Sequence, residues 1–412
     1  MNPIWQVTVV GAGAAGLMAA ITAARQGCQV LLLEHGRKVG RKLLVSGNGR
    51  GNITNRNLGS DRYHGHFPNF VLPALKKFGF RDTFHFFEQL GIKLKTDENG
   101  RVYPYSQDAS VIQKVLKYEV DHLNIKLDYG VRIQEIHPMG AFKEIKMNHA
   151  PSYFTKNMIL ATGGRAAPQL GATGAGYRWA EMLGHTLFPQ MPALVQLKIP
   201  SRFIQSCLYS KLKAEMTIMI NGKPCVSQLG DLFIIPQSVS GDAVFAVSRY
   251  ASEALYQQKP VQLQIDTVPD YSRHQLKDYL YIIQKSRPHL LARLFLNGLL
   301  PQKIATYLLA LSDIAENQSI GLLNREQIAN LIQALKCLTL PVIGTQAWKF
   351  AQATIGGVSV KEVNPETMGS LLDPNLFFAG EILDVDGDCG GYNLQWAWSS
   401  GYLAGLSAAK KS

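Results

Sequence analysis

The chain of 412 residues lacks a long hydrophobic run. Apolar stretches such as LLLEHG and MILATGG are interrupted early, whereas a membrane-spanning helix needs roughly 18 or more consecutive apolar residues. The opening residues, MNPIWQVTVVGAG, lead directly into an apolar strand and a glycine turn, so they lack the basic, apolar and cleavage regions of a secretory signal. We therefore expect a soluble, cytoplasmic protein with no membrane partner.

Cysteine is scarce, and its five copies show no C-x-x-C spacing. An odd number without paired spacing argues against both a disulfide framework and a zinc site. We therefore expect a reducing compartment and no bound metal. The cysteines are Cys28, Cys207, Cys225, Cys337 and Cys389.

Acidic residues are also in the minority, with 30 Asp and Glu against 42 Lys and Arg, a net charge of +12. Such a surplus is compatible with a polyanionic partner such as RNA, although a bound dinucleotide and solubility explain part of it. The surplus is spread along the chain, so no single domain is marked as a nucleic-acid module. The length and a hydrophobic content of 46% predict two or three packed globular units.

The strongest local motif is a G-x-G-x-x-G formed by Gly11, Gly13 and Gly16, between an apolar strand and an alanine-rich helix. The first glycine permits a tight turn, the second lets the backbone approach a pyrophosphate, and the third lets the helix pack on the strand. The helix N-terminus, with Ala14 and Ala15, attracts the phosphates. The alternative is a glycine-rich turn that binds nothing.

Glu34 lies at the end of the second predicted strand, where a carboxylate accepts hydrogen bonds from both ribose hydroxyls of a dinucleotide. This fingerprint does not distinguish FAD from NAD. The C-terminal segment favours FAD, because a strand leads into Gly380 and Glu381, then into a loop and a helix opening at Gly391. A helix N-terminus there would stabilise the negative charge that develops at the flavin N1 and C2 carbonyl edge on reduction.

Residues 40–55, GRKLLVSGNGRGNITN, are rich in glycine, asparagine and cations and poor in apolar residues. Backbone N–H groups in such a loop can bind an anion, with Arg41 and Lys42 adding charge near the pyrophosphate and Arg50, Asn48 and Asn52 adding donors near the flavin. A solvated basic loop is the alternative. The loop contributes Ser46, Gly47, Asn48 and Gly49 to the predicted cofactor site.

The texture of the sequence changes near residue 188, where three prolines precede segments of period-two alternation and then helical ones. We interpret residues 190–342 as an insertion, β-rich over 190–270 and helical over 271–342. Residues 1–189 and 343–412 are then the two parts of one FAD-binding domain.

Together these segments resemble the BaiN/RdsA-like flavoprotein family, also known as YhiN-like, over nearly the whole chain. The resemblance rests on GAGAAG, SGNGRGNITN, LATGG and AGEILDVDGDCGGYNLQWAWSSG. It implies an α/β protein with a discontinuous, Rossmann-like, two-dinucleotide-binding-type FAD domain and an inserted β-barrel plus helical domain. By the same likeness the cofactor-binding residues include Glu34 at the adenosine ribose, Val131 at the adenine, Gly163 in LATGG, Glu381 at the ribityl chain, and Asn393 and Leu394 at the flavin ring.

The insertion departs from the family pattern. Members often carry F-T-H followed by G-x-S-G-P, whereas this chain reads FIIPQSVSGDAVFAVS. Phe233, Ser240 and Gly241 match, but Ile235 replaces the histidine and Asp242 the proline. A role for that histidine in substrate handling is therefore not carried over.

Only one dinucleotide fingerprint is present, so NADH or NADPH is expected to reduce the flavin transiently and leave. Family members reduce C=C bonds conjugated to a carbonyl, in steroid-like enones or in a uridine of large-subunit ribosomal RNA. Hydride passes from the flavin N5 to the β carbon, donors stabilise the enolate, and an acid protonates the α carbon. Cys389 and Tyr392 are the candidate acids, although a small buried thiol is often only packing. The ten histidines show no cluster.

Three functions follow from these observations. We favour reduction of uridine to dihydrouridine in ribosomal RNA, because of the positive charge and the large insertion available to hold RNA. The alternatives are reduction of a small steroid-like enone and a non-catalytic, RNA-associated role in which FAD is structural. The sequence carries no signal for the nicotinamide preference or the oligomeric state.

Overall fold

The computed structural model describes residues 3–411, which divide into two compact units. Unit 1 comprises the chain up to Met191 and from Gln352 onward, and unit 2 comprises Pro192–Ala351. The strands, numbered in chain order, are β1 (Ile4–Val10), β2 (Val30–Glu34), β3 (Thr54–Asn55), β4 (Tyr63–His64), β5 (Leu94–Thr96), β6 (Arg101–Pro104), β7 (Lys126–Tyr129), β8 (Ile133–Met139), β9 (Phe142–Met147), β10 (Tyr153–Leu160), β11 (Leu187–Ala193), β12 (Leu197–Lys198), β13 (Lys211–Ile220), β14 (Lys223–Ile235), β15 (Ser238–Ser240), β16 (Val261–Asp266), β17 (Leu338–Pro341), β18 (Gly344–Thr345), β19 (Ala353–Val358), β20 (Leu376–Phe378) and β21 (Asp386–Gly387).

The α-helices are named in the same way. They are α1 (Ala14–Arg25), α2 (Leu72–Lys77), α3 (Phe80–Gln89), α4 (Ala109–His122), α5 (Ala175–Met182), α6 (Ser201–Cys207), α7 (Asp242–Tyr256), α8 (Arg273–Ser286), α9 (Ala292–Asn297), α10 (Gln302–Leu311), α11 (Arg325–Lys336) and α12 (Tyr392–Lys410). Within residues 3–411 no helix is both long enough and apolar enough to cross a membrane.

Unit 1 is built on a parallel sheet in the order β7, β2, β1, β10 and β20. The last four residues of β1 and β10 and the first four of β2 are buried and mostly apolar, as expected when helices cover both faces of a parallel sheet. An antiparallel pair, β8 and β9, extends the sheet from β10. The predicted α/β class with a Rossmann-like sheet is therefore confirmed.

Helices α1 and α12 pack so closely that their backbones are in contact. A Cβ added at Gly401 would lie 2.4 Å from the carbonyl oxygen of Ala15, and one at Gly405 would lie 2.3 Å from that of Ala19. Both glycines thus permit an approach that no side chain allows. This packing fixes the C-terminal helix against the helix that follows the first glycine turn.

The chain leaves and re-enters unit 1 on neighbouring strands, since β11 pairs with β19. Two small sheets complete the unit: β3, β6 and β5 form one, and β21 pairs with β4 in the other. The second is important for the site, because it joins two segments that are more than 300 residues apart in the sequence.

Unit 2 contains a seven-stranded sheet in the order β17, β16, β13, β14, β15, β12 and β18, and all its recorded pairs are antiparallel. Strand β13 alternates exposed and buried residues over most of its length, because one face of the sheet packs on a core and the other does not. Helices α8 to α11 add a second, helical part with buried leucines and isoleucines.

Several predicted elements differ in detail. Residues 72–89 form two helices, α2 and α3, because Gly79 caps α3 and its N–H donates to Asp82 at 2.9 Å. The β-rich part of the insertion also contains α6 and α7, and its helical part ends in β17. The predicted domain boundaries at 189/190 and 342/343 stay predictions. The two compact units of the structure divide after Met191 and after Ala351.

The packing of α1 on α12 leads to a first prediction. Gly405→Val should destabilise the protein by about 1–3 kcal/mol, because the new methyl groups push against the Ala19 backbone and the two helices must separate. Thermal or denaturant unfolding measures the change. Ser407→Val on the same helix controls for the helix propensity of valine; equal destabilisation by both variants would contradict the explanation.

Candidate functional site

The predicted cofactor residues of unit 1 lie where its parallel strands end. Gly11 follows β1, Glu34 ends β2, Val131 comes shortly after β7, Gly163 follows β10, and Gly380 follows β20. In an open parallel sheet the carboxyl ends of the strands form one edge, and ligands bind outside that edge. Residues that are separated in the sequence thus share one side of the sheet.

The three glycines of the first turn have separate structural reasons. Gly11 has φ of 102°, and a Cβ there would lie 2.6 Å from the carbonyl oxygen of Ala161. A Cβ at Gly16 would lie 1.8 Å from the carbonyl oxygen of Gly11. At Gly13 the same construction meets no atom of the described residues within 4 Å. Open space therefore faces the N-terminus of α1, where a pyrophosphate is favoured.

Glu34 is held rigidly at the end of β2. One carboxylate oxygen accepts the N–H of Ala12 at 2.8 Å, and the other accepts the N–H of Gly36 at 2.7 Å. Its backbone carbonyl accepts the N–H of Val131 at 3.1 Å. A carboxylate has about four lone-pair sites, so the two oxygens keep acceptor capacity for ribose hydroxyls. Val131, predicted at the adenine, is the neighbour of Glu34.

Glu381 lies directly after the turn at Gly380 and forms an ion pair with Lys42, with 2.8 Å between Nζ and Oε2. Its other oxygen, Oε1, is buried and has no hydrogen-bond partner among the described residues. A buried carboxylate oxygen without a donor is costly unless a ligand supplies one. A ribityl hydroxyl is a suitable donor to this oxygen. Lys42 thus neutralises Glu381, whereas the sequence placed it near the pyrophosphate.

The glycine-rich loop is folded tightly on itself. Gly47, Asn48 and Gly49 have φ of 56°, 57° and 82°, and the N–H groups of Gly49 and Gly51 both donate to the carbonyl of Ser46. Two of its predicted cationic donors are engaged elsewhere. The Arg41 guanidinium donates to the carbonyl of Gln169 at 2.7 Å, and that of Arg50 lies 4.8 Å above the centre of the Tyr103 ring.

The turn before α12 lies beside this loop. A Cβ at Gly391 would lie 2.6 Å from the carbonyl oxygen of Thr54 and 2.9 Å from Oδ1 of Asn52. That Asn52 oxygen is buried and has no hydrogen-bond partner within residues 3–411. Asn55 donates to the carbonyl of Gly390 at 2.9 Å. The loop and the helix N-terminus therefore form one continuous polar surface.

Asn393 closes the turn with its side chain. The amide oxygen accepts the N–H of Gly387 and the amide nitrogen donates to the carbonyl of the same residue, both at 2.8 Å. Only its backbone then remains for the flavin contact that the resemblance implies. Leu394, which follows it, is partly buried against the core of unit 1.

The two predicted acids flank Gly390 and Gly391 in different environments. Cys389 is half-buried, whereas Tyr392 is buried with its ring edge-on to Tyr63 at 6.1 Å. Burial raises the pKa of Tyr392, with Arg62 acting in the opposite direction. Tyr392 therefore holds its proton more firmly than a free tyrosine, which makes it a weak acid.

The structure brings together two histidine–carboxylate pairs that the sequence did not reveal. His64 and Asp388 are 2.7 Å apart, between Nε2 and Oδ1, and His66 and Asp384 are 2.8 Å apart, between Nδ1 and Oδ2. The pattern of the histidines favoured none of them, but the pairing of β4 with β21 sets His64 opposite Asp386. The signal in the sequence is an H-x-H and a D-x-D-x-D, which become neighbours only through this pairing.

The departure in the insertion has a structural explanation. Asp242 begins α7, and its Oδ1 accepts the N–H groups of Ala243 and Asp231, both at 2.9 Å. A proline could not offer this carboxylate. Ile235 pairs with Ser238 in the β14–β15 hairpin and carries no group that transfers a proton.

The residues present fit an FAD molecule. Open space at Gly13 faces a helix N-terminus, and buried oxygens of Glu381 and Asn52 have no partner of their own. Gly11 to Gly16, Glu34 and Val131 would hold the adenosine diphosphate half, and Glu381, Gly391, Asn393 and Leu394 the flavin half. Within the described part of the chain, no group of three His, Cys, Asp or Glu side chains could hold a metal ion.

Comparison with known proteins agrees with this geometry. The model of the HI0933-like protein Rossmann domain matches residues 5–407. A 3-dehydro-bile acid delta(4,6)-reductase of Clostridium scindens is 35% identical over 98% of this chain and 99% of its own. A ribosomal RNA dihydrouridine synthase of Haemophilus influenzae is 30% identical over 98% of both chains.

Among solved structures, 3-ketosteroid delta1-dehydrogenase from Sterolibacterium denitrificans is similar over 100% of both chains, with a TM-score of 0.52 and 13% identity. At this identity the likeness shows the fold alone.

The geometry around Glu34 leads to a prediction about the cofactor. Glu34→Arg should weaken FAD binding by about 2–4 kcal/mol, because the variant loses the ribose acceptors and adds a misplaced cation. Absorbance at flavin wavelengths after gel filtration measures the FAD that remains. Glu366→Arg, at an exposed position of unit 1, is the matched control. Full FAD occupancy in the Glu34 variant would show that this edge of the sheet does not bind adenosine.

Proposed function

Since the chain belongs to the HI0933-like family and is an FAD-dependent oxidoreductase, we propose that it uses NADH or NADPH to reduce a C=C bond conjugated to a carbonyl. The favoured substrate is a uridine of large-subunit ribosomal RNA, which becomes dihydrouridine. The proposed setting is the cytoplasm, as expected from the sequence.

The observation that carries the proposal is the turn between β21 and α12. It presents Cys389 and Tyr392 at the N-terminus of a 19-residue helix, and Asp388 in the same turn binds His64. Groups that can supply a proton thus lie next to a positive helix terminus. Addition of hydrogen across a polarised double bond needs both a proton donor and a positive group that stabilises the developing negative charge.

When bound, FAD supplies the hydride that is added to the β carbon. The first free N–H groups of α12 favour negative charge nearby, because the helix dipole is positive there. The α carbon then requires a proton from the protein. His64 is the donor that we favour, because the Asp388 carboxylate lies 2.7 Å from its Nε2 and orients the imidazole.

Arg101 lies beside Cys389, and its pKa reflects that neighbour. Burial lowers the Arg101 pKa, but the nearby Cys389, Tyr103 and Asp97 groups raise it, and the net shift is upward. Arg101 thus adds positive charge next to Cys389.

Two observations support RNA over a small molecule: the net charge of +12 and a full-length relative named for a ribosomal RNA dihydrouridine synthase. The second candidate, an enone reductase, is favoured by the 35% identity to the bile acid reductase. A role in which FAD is only structural is the third, and any turnover excludes it.

The substrate proposal is tested in the host organism. In the deletion strain, one dihydrouridine of large-subunit ribosomal RNA should be replaced by uridine. This nucleoside is lighter than in the wild type by about two mass units, since two hydrogen atoms are no longer added. Mass spectrometry of nuclease digests measures it, with the complemented strain as control. Unchanged dihydrouridine, together with rapid reduction of a steroid enone by the pure protein, would favour the enone reductase.

The proton donor is tested by His64→Gln. Reoxidation of the reduced flavin by substrate should slow by about 10²-fold or more, since general acid catalysis contributes that much. Reduction by NAD(P)H should be unchanged, and added imidazole should restore part of the rate. His66→Gln is the matched control, because its partner Asp384 lies before β21 and outside the turn. Equal loss in both variants, without rescue, would indicate a structural role.

A further inference from the structure

Positive charge within unit 2 is concentrated on one segment. Pro192–Ala351 contains sixteen Lys and Arg against ten Asp and Glu, a net charge of +6. Between Tyr271 and Arg293 there are five cations and a single carboxylate, a net charge of +4. Helix α8 and its C-terminal extension therefore carry most of the surplus of this unit.

The one carboxylate of this segment is already neutralised. Asp278 lies 2.7 Å from the imidazole of His274, one helical turn away. The nearby Lys277, Lys285 and Arg287 are all exposed, and none of them forms an ion pair with a carboxylate of the described residues. Their positive charge therefore remains available to a partner.

Two of these cations, Lys277 and Lys285, lie on one side of α8, and Arg287 follows the end of the helix. Lys277, Tyr281 and Lys285 are four residues apart, so they form a row, and the Lys277 ammonium lies 5.8 Å from the centre of the Tyr281 ring. Eight residues of α-helix place the first and last of this row about 12 Å apart along the axis. Leu276 and Leu280 anchor the opposite face in the core.

Exposed Ile282 stands beside this row, three residues before Lys285, whereas Tyr279 lies on another side of α8. Tyr279 is 44% exposed and Ile282 is 61% exposed, although both are large apolar groups. The ring of Tyr279 rests on Phe295 at 5.5 Å, which limits its movement. Cations interleaved with fixed aromatic rings are typical of surfaces that bind phosphates and stack bases.

We propose that Lys277, Tyr281, Ile282 and Lys285 on one side of α8, together with Arg287 directly after the helix, form a surface, called here the α8 surface, that binds the phosphate backbone of the RNA substrate. The inference rests on the proposed function and adds the place where the RNA is held. The charge selects the partner: a neutral enone gains nothing from three unpaired cations, whereas each phosphate neutralised releases a counterion.

The test removes the three cations together, as Lys277→Gln, Lys285→Gln and Arg287→Gln in the full-length holoprotein. The probe is protein-free large-subunit ribosomal RNA from the deletion strain. Binding should weaken by roughly tenfold or more at 0.15 M salt, and the slope of log affinity against log salt should fall by about two to three. Reduction of the flavin by NAD(P)H should be unchanged.

The control removes the same charge from exposed positions elsewhere in unit 2, as Lys213→Gln, Lys223→Gln and Lys259→Gln. This variant should keep the affinity and salt slope of the wild type. Equal weakening in both variants, or none in the α8 variant, would overturn the α8 surface. Binding is measured without turnover, so a wild type that binds RNA through α8 but makes no dihydrouridine would contradict only the proposed function.

Discussion

The structure of unit 1 depends on the close approach of α1 to α12. Only glycine at positions 401 and 405 lets the two backbones meet, and this contact brings the C-terminal helix to the helix that opens at Gly13. The N-terminus of each helix is a region of positive potential. A flavin dinucleotide has a pyrophosphate in its middle and a reducible ring at one end, so it suits two such termini held in one unit. The close packing of α1 on α12 therefore constrains where the two helix N-termini lie in the cofactor site.

A second constraint is the set of buried polar atoms that the protein leaves unpaired. Most buried polar groups in folded proteins have a hydrogen-bond partner, so an exception needs an explanation. Oε1 of Glu381 and Oδ1 of Asn52 are two such exceptions, and both belong to segments that the glycine motifs bring together. We propose that a bound ligand with hydroxyl and N–H donors supplies their partners. The protein alone is incompletely satisfied at this edge of the sheet.

The sequence predicted what local patterns encode. The G-x-G-x-x-G motif and the acid that ends β2 each depend on residues near one another in the chain. It did not predict the ion pair of Lys42 with Glu381, 339 residues apart, or the binding of His64 by Asp388, 324 residues apart. Such pairs depend on how the last segment returns to the sheet. Arg50 is a different case. It is a loop cation predicted to donate near the flavin, and its guanidinium lies over the Tyr103 ring.

The departures in the insertion bear on which residue donates the proton to the substrate. At the position where relatives often carry a histidine, Ile235 has no group that transfers one, and the neighbouring departure, Asp242, is engaged in capping α7. Under the proposed function a proton donor is still needed, and unit 1 offers His64 of β4, which Asp388 holds beside the turn that opens α12. Under that proposal the proton donor belongs to unit 1, and the substrate is held by the α8 surface of unit 2.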